Sequence, residues 1–129
     1  MKRWKGFAVL ALVAGLPGVA GCGAIVAGAA AGAGAVAYVR GELEATEEAA
    51  LDDVVNATQA AMGELRFTLT SSEADAVSAR FAAKTANDKT IVINLKKVTA
   101  ALTEIRIRVN VFGDEELSRL ILDKIKKHL

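Results

Sequence analysis

From Thr46 onward the apolar positions change period several times, and each change marks an element. Leu51, Val54, Val55, Thr58, Ala61 and Met62 recur at spacings of three and four, the pattern of a helix that buries one stripe. Glu47 and Glu48 suit its positive N-terminal end, and Gly63 is placed to close it in the left-handed conformation. From Leu65 the period drops to two. Leu65, Phe67 and Leu69 alternate with Arg66, Thr68 and Thr70, and Val77, Ala79, Phe81 and Ala83 with Ser78, Arg80 and Lys84. Beyond a turn at Asn87-Asp88-Lys89, Ile91, Ile93 and Leu95 alternate with Thr90, Asn94 and Lys96. The clearest run is the last: Thr103, Ile105, Ile107, Val109 and Val111 against Glu104, Arg106, Arg108 and Asn110. All four predict half-buried strands.

Gly113-Asp114-Glu115-Glu116 then opens a final helix on which Leu117, Leu120, Ile121, Lys124 and Ile125 share a face, with Lys124, Lys126 and Lys127 toward its negative end. A short strand-like segment, Tyr38 to Leu43, precedes the first helix. The order is β-α-β-β-β-β-α. It predicts a two-layer α+β domain, a mostly antiparallel sheet of about five strands carrying two helices on one face.

Composition divides the chain in two. Nine of the eleven glycines precede Glu42, and every acidic residue lies at or beyond it. The first part is therefore read separately, as a leader over residues 1–21 and an Ala/Gly-rich tether over residues 22–35, with the folded domain occupying residues 36–129. Met1-Lys-Arg-Trp-Lys5 is a positive start, and Gly6 to Ala20 is an uncharged run shorter than the roughly 20 apolar residues of a membrane span. Pro17-Gly18 breaks any helix just before Val19-Ala20-Gly21-Cys22.

Those four residues resemble the signal of bacterial lipoproteins, in which an aliphatic and two small residues precede the cysteine that is lipidated and becomes residue one. The resemblance implies that Val19, Ala20 and Gly21 are what the signal peptidase recognises and that Cys22, the only cysteine, carries covalent lipid. The mature chain would have 108 residues, 13 basic against 15 acidic. Gly23 after the cysteine implies, in Gram-negative lipoproteins, transport to the outer membrane. Gly23 to Val39 holds Gly28-x-x-x-Gly32, a spacing that lets membrane helices pack closely, so a flexible tether and an oligomerising segment are both readings of it.

The chain as a whole resembles a family of short bacterial lipoproteins known only as a domain of unknown function. Gly21-Cys22-Gly23, the Ala/Gly tract, Tyr38-Val-Arg-Gly-Glu-Leu43, Ile105-Arg-Ile-Arg-Val109 and Phe112-Gly-Asp-Glu-Glu-Leu-Ser118 carry the resemblance. It implies an address at the cell envelope and a fold, but no reaction.

The remaining side chains do not assemble a catalytic set, and no cofactor beyond the lipid on Cys22 is expected. Gly32-Ala-Gly34-Ala-Val-Ala37 matches a dinucleotide fingerprint only by chance, since no strand precedes it and no helix opens after it. His128 is the sole histidine, in a lysine-rich last turn, and Ser71, Ser72, Ser78 and Ser118 lack any nucleophile motif. A formal charge of +1 argues against a nucleic-acid partner. One surface stands out: Arg80, Lys84, Lys96, Arg106 and Arg108 fall on the outward positions of the strands beside Thr68, Asn94 and Asn110. Such a face suits an anionic envelope component or the acidic side of another protein, although interspersed acids make a mixed solvated face the ordinary outcome. The expected protein is a non-catalytic binding or structural module held by lipid at the periplasmic side of the outer membrane. The alternatives are a subunit of an envelope enzyme or transport complex, and an oligomer packed through the Ala/Gly segment.

Overall fold

A computed structural model describes residues 35–129. Cys22, its flanking Val19, Ala20 and Gly21, and nearly all of the Ala/Gly tether lie outside the described residues.

The chain enters through a hairpin. Strand β1 (Val36–Val39) turns at Arg40 and Gly41 into β2 (Glu42–Glu47). Both turn residues have positive φ, 53° and 82°, which matches the right-handed twist of the flanking strands. The expected single strand from Tyr38 to Leu43 is thus two strands, and the sheet has six strands rather than five. Arg-Gly is not among the usual signatures of such a turn, so nothing in the alternation announced it.

Helix α1 (Leu51–Glu64) follows, then β3 (Thr68–Ala74), β4 (Ser78–Lys84), β5 (Thr90–Thr99), β6 (Leu102–Val109) and α2 (Glu115–Lys127). The strand order is β1-β2-β6-β5-β4-β3, antiparallel throughout. Strands β3 to β6 form a meander of sequence neighbours, and β2 closes on β6 across the longest separation, with Leu43 opposite Ile107 and Ala45 opposite Ile105. The expected two-layer α+β arrangement is what the chain adopts. Alternate residues of the strands, Leu43, Phe81, Ile91, Ile93, Leu95, Ile105, Ile107 and Val109 among them, face the helices and are buried. Leu51, Val54, Ala61 and Met62 of α1 and Ile121, Leu122 and Ile125 of α2 close the core from the other side.

Two buried hydroxyls are satisfied by backbone carbonyls, one local and one distant in sequence. Thr58 Oγ1 donates to the Val54 carbonyl at 2.7 Å within α1, and Thr103 Oγ1 donates to the Ala49 carbonyl at 2.8 Å, pinning the approach to α1 against β6. Asp114 caps α2 by accepting from the Leu117 N–H at 3.0 Å, and its other oxygen accepts from Lys89 Nζ at 2.8 Å. The Lys89 ammonium and then the Leu117 N–H hold the Asp114 carboxyl below its usual value.

Four local departures from the sequence pattern appear, and two of them follow from positive-φ turns at Arg66 and Asn110. Thr46 and Glu47 belong to β2, and α1 starts only after Ala50, which supplies no side-chain cap. Gly63 is helical, and the left-handed residue is Arg66 at φ 61°. Leu65 and Phe67 therefore pack on the core from the helix exit, and β3 begins later, fully exposed at the sheet edge, with Leu69 in solvent. Asn110 at φ 59° turns the chain after β6, so Val111 points outward rather than continuing the buried row. On α2 the buried set is Ser118, Ile121, Leu122 and Ile125, and Leu120 is exposed.

The loop after β6 meets the β1–β2 turn. A Cβ on Gly113, whose φ is 87°, would collide with Tyr38 Oη, with Gly41 Cα at 2.5 Å and with Gly41 O at 2.6 Å. Tyr38-Val-Arg-Gly-Glu-Leu43 and Phe112-Gly-Asp-Glu-Glu-Leu-Ser118, two of the segments that suggested a family, thus touch backbone to backbone. Arg108 Nη1 donates to the Val111 carbonyl at 3.2 Å and steadies the same loop.

Candidate functional site

The face of the sheet opposite the helices is open, and strand register decides which side chains meet there. Glu44, Arg106, Asn94, Arg80 and Glu73 form one row across five strands. Thr46, Glu104, Lys96 and Ser78 form the next row, and on the other side lie Glu42, Arg108, Val92 and Ala82. Lys84 sits one row further, between Thr68 and Thr90. All five cations singled out from the sequence are therefore on one face, together with Thr68, Asn94 and the Asn110 that follows β6.

They are not equivalent. Arg80, Lys96 and Arg106 line a depression of about 760 Å³, whereas Lys84 and Arg108 do not. The lining also includes Lys97, so four cations face four carboxylates: Glu42, Glu73, Asp75 and Glu104. Arg106 is engaged with Glu104 at 3.4 Å and Glu42 at 3.9 Å. Glu104 first, with Glu44 and Glu42, pushes its guanidinium above the usual arginine value. Arg80 Nη1 donates to Asn94 Oδ1 at 3.5 Å. Among the described residues, no carboxylate lies within 4 Å of the charged atoms of Arg80, Lys96 or Lys97. Within the depression, these three are the cations free to meet a ligand.

Asp75 frames one end of the depression. Its Oδ1 accepts from the N–H groups of Val77 and Ser78, both at 2.9 Å, and those two bonds, Val77 first, hold its carboxyl below the usual value. The turn between β3 and β4 is thereby fixed with an ionised acid at its tip. Glu42, Glu73, Asp75 and Lys97 are lining residues that the alternation did not identify. Parity was readable only for Glu42; strict alternation puts Glu73 and Lys97 with the inward rows, and the register shifts in β3 and near Lys97, the β3–β4 turn at Asp75 and the closing of β2 on β6 bring the four together.

The isolated histidine has a structural partner. His128 Nε2 lies 2.8 Å from Glu64 Oε1, while Lys124 Nζ is 2.8 Å and Lys127 Nζ 3.7 Å from Glu64 Oε2. One carboxylate thus ties the end of α2 to the end of α1. Hydrogen bonds from Lys124 and then His128 lower the Glu64 carboxyl to about 2. A carboxyl depressed in the folded state stabilises fully above its unfolded value and loses that contribution as pH falls toward the folded one. Melting temperature should therefore drop between pH 4.5 and 2 partly through Glu64. A Glu64→Gln variant, melted across that range, is expected to show a shallower decline by a few degrees, since solvent screens an accessible cluster.

Ser118 is buried within α2 with no hydrogen-bond partner for its hydroxyl, and Ser71 and Ser72 lie on exposed β3. Among the described residues no group of three or more His, Cys, Asp or Glu side chains could hold a metal ion, and no helix is long and apolar enough to cross a membrane.

No curated protein matches the chain. A family model does match, over residues 6–128, and so takes in the apolar run Gly6 to Ala20, the cysteine and the folded domain together. The chain belongs to the family described as protein of unknown function DUF3568.

Proposed function

We propose that this protein is a lipid-anchored cell-envelope lipoprotein whose small sheet domain serves as a non-catalytic binding or structural module at the periplasmic surface of the outer membrane. One observation carries the reading: the only cysteine stands directly after Val19-Ala20-Gly21, at the end of a positively started apolar run, and the folded domain begins just beyond an Ala/Gly tether. The family model supports it by spanning leader and domain as one unit. Two or more acyl chains on Cys22 give stable attachment, at about 0.8 kcal/mol per buried methylene, where one chain does not. The open sheet face then hangs within reach of envelope components. Arg80 and Lys96, two cations of the depression without a carboxylate partner, are the residues that would meet an anionic one.

The anchor is tested by the intact mass of protein isolated from envelopes of a Gram-negative host, beside a Cys22→Ala control. The expected mass is that of a chain starting at Cys22 plus acyl groups, lost in the control. A chain that keeps Met1 or is cut elsewhere overturns the address. The binding face is tested by Arg80→Glu with Lys96→Glu: co-purifying envelope material should fall, and an unchanged yield would leave the face without this role.

A further inference from the structure

The loop between β6 and α2 holds two apolar side chains out of the fold: Val111 is 79% and Phe112 93% exposed. Exposure of a phenylalanine usually ends when its loop folds back onto the protein. Here it cannot, because the loop is clamped. Asn110 turns at φ 59°, Arg108 bonds the Val111 carbonyl, Gly113 lies against Gly41, and Asp114 is committed to capping α2. A rigidly presented aromatic loses little conformational freedom when it is buried by a partner. Thr90, Val92, Arg108, Asn110, Val111 and Phe112 together line a shallow recess of about 710 Å³. Its lining is half apolar, Val92, Val111 and Phe112, with Thr90 and Asn110 as neutral polar residues, one cation, Arg108, and no carboxylate.

We propose that this loop is a lipid-surface contact, in which Phe112 and Val111 enter the boundary between headgroups and acyl chains while Arg108 meets lipid phosphate. The composition is that of interfacial segments, apolar rings and aliphatics edged by arginine. The geometry of the tether allows it, and in this respect the proposal rests on the anchoring of Cys22. The chain enters the domain at the opposite end of the sheet, where Ala35 accepts from the Thr46 N–H. Phe112 is separated from that end by about the length of β2, roughly 20 Å. Residues 23–35 can extend to roughly 45 Å, enough to let the domain turn its Phe112 end onto the membrane that holds it. The lipid anchor and the loop would then grip one surface at two points, and the second binding event would be intramolecular.

The test uses the full chain carrying Trp4→Phe and Phe112→Trp, so that a single indole reports from the loop whatever the processing. The protein is reconstituted in vesicles of phosphatidylethanolamine and phosphatidylglycerol, with and without lipids brominated in the upper acyl chain, and its lipidation is read separately by mass. Lipidated protein whose emission is shifted to shorter wavelength and quenched by the brominated lipid supports the proposal. Solvent-like emission from lipidated protein overturns the loop contact and leaves the anchor standing. Shifted emission without bromine quenching means that protein, a second copy included, covers the loop, and also overturns it. If the mass shows no lipid, the anchor fails, and the same quenching on added vesicles decides the loop alone.

Discussion

Gly113→Ala is expected to lower the melting temperature of the domain by roughly 12–24 °C, the equivalent of about 3 kcal/mol. Two costs combine. A residue with a Cβ pays about 1–2 kcal/mol for left-handed backbone, and φ at Gly113 is 87°. The new methyl would also collide with Tyr38 Oη, and it would meet the Gly41 backbone at 2.5–2.6 Å. Backbone cannot swing aside as a side chain can, so overpacking adds about 1–3 kcal/mol. Gly63→Ala is the control, since its Cβ meets nothing within 4 Å and it lies in α1. There alanine should raise the melting temperature by a few degrees, through about 0.5–1 kcal/mol of helix preference. Thermal melts of the two variants beside the parent decide the matter. A Gly113→Ala protein that melts like the parent would mean that the contact between the two loops does not hold the domain together.

Phe81→Ala should be the costliest single truncation in the core, at about 3–5 kcal/mol. Among the described residues Phe81 is the largest fully buried side chain, on β4 opposite Ile93 of β5. Its strand neighbours on the buried face, Ala79 and Ala83, are too small to spread into the space it leaves. The cavity therefore persists, and the penalty includes lost contacts as well as lost burial. The loss is a large share of the 5–15 kcal/mol that stabilises an ordinary domain. Urea unfolding should show a lower midpoint with an unchanged slope. A shift under 1 kcal/mol would indicate that β4 is not packed as described.

How far the sequence foretold these positions depends on what a pattern can carry. Phe81, Ile93, Ile107 and Ile125 were readable as core because burial on one face writes itself into period two or period 3.6. The α2 boundary was readable too, because Asp114 caps it through a side chain whose type is diagnostic. Alternation carries no record of backbone turns made by unusual residues. Arg40, Arg66 and Asn110 each adopt positive φ, and each reversal cost a local assignment: the sixth strand, the start of β3 and the side on which Val111 lies. The open face was legible in parity, so Arg80, Lys84, Lys96, Arg106 and Arg108 were found together. Glu104 meets Arg106 from two residues away on the same strand, but the arrival of Glu42 beside Arg106 follows from β2 closing on β6. A pairing across so many residues has no local signature.

The placement of β1 governs how the domain responds to force. It has four residues, sits at the edge of the sheet and has β2 as its only strand partner. Lys126 Nζ lies 3.8 Å from Glu47 Oε2, so α2 finishes at the same end of the sheet where the chain enters. A pull between the two ends of the domain therefore acts across the strands, and the β1–β2 ladder unzips one bond at a time instead of resisting in shear. Releasing residues 36–41 would add roughly 20 Å of chain, giving up the contacts of Tyr38 and Gly41 with Gly113 before β2 and β6 are strained. Under such a load β1 is the strand expected to yield first, as a fuse yields before the circuit it protects.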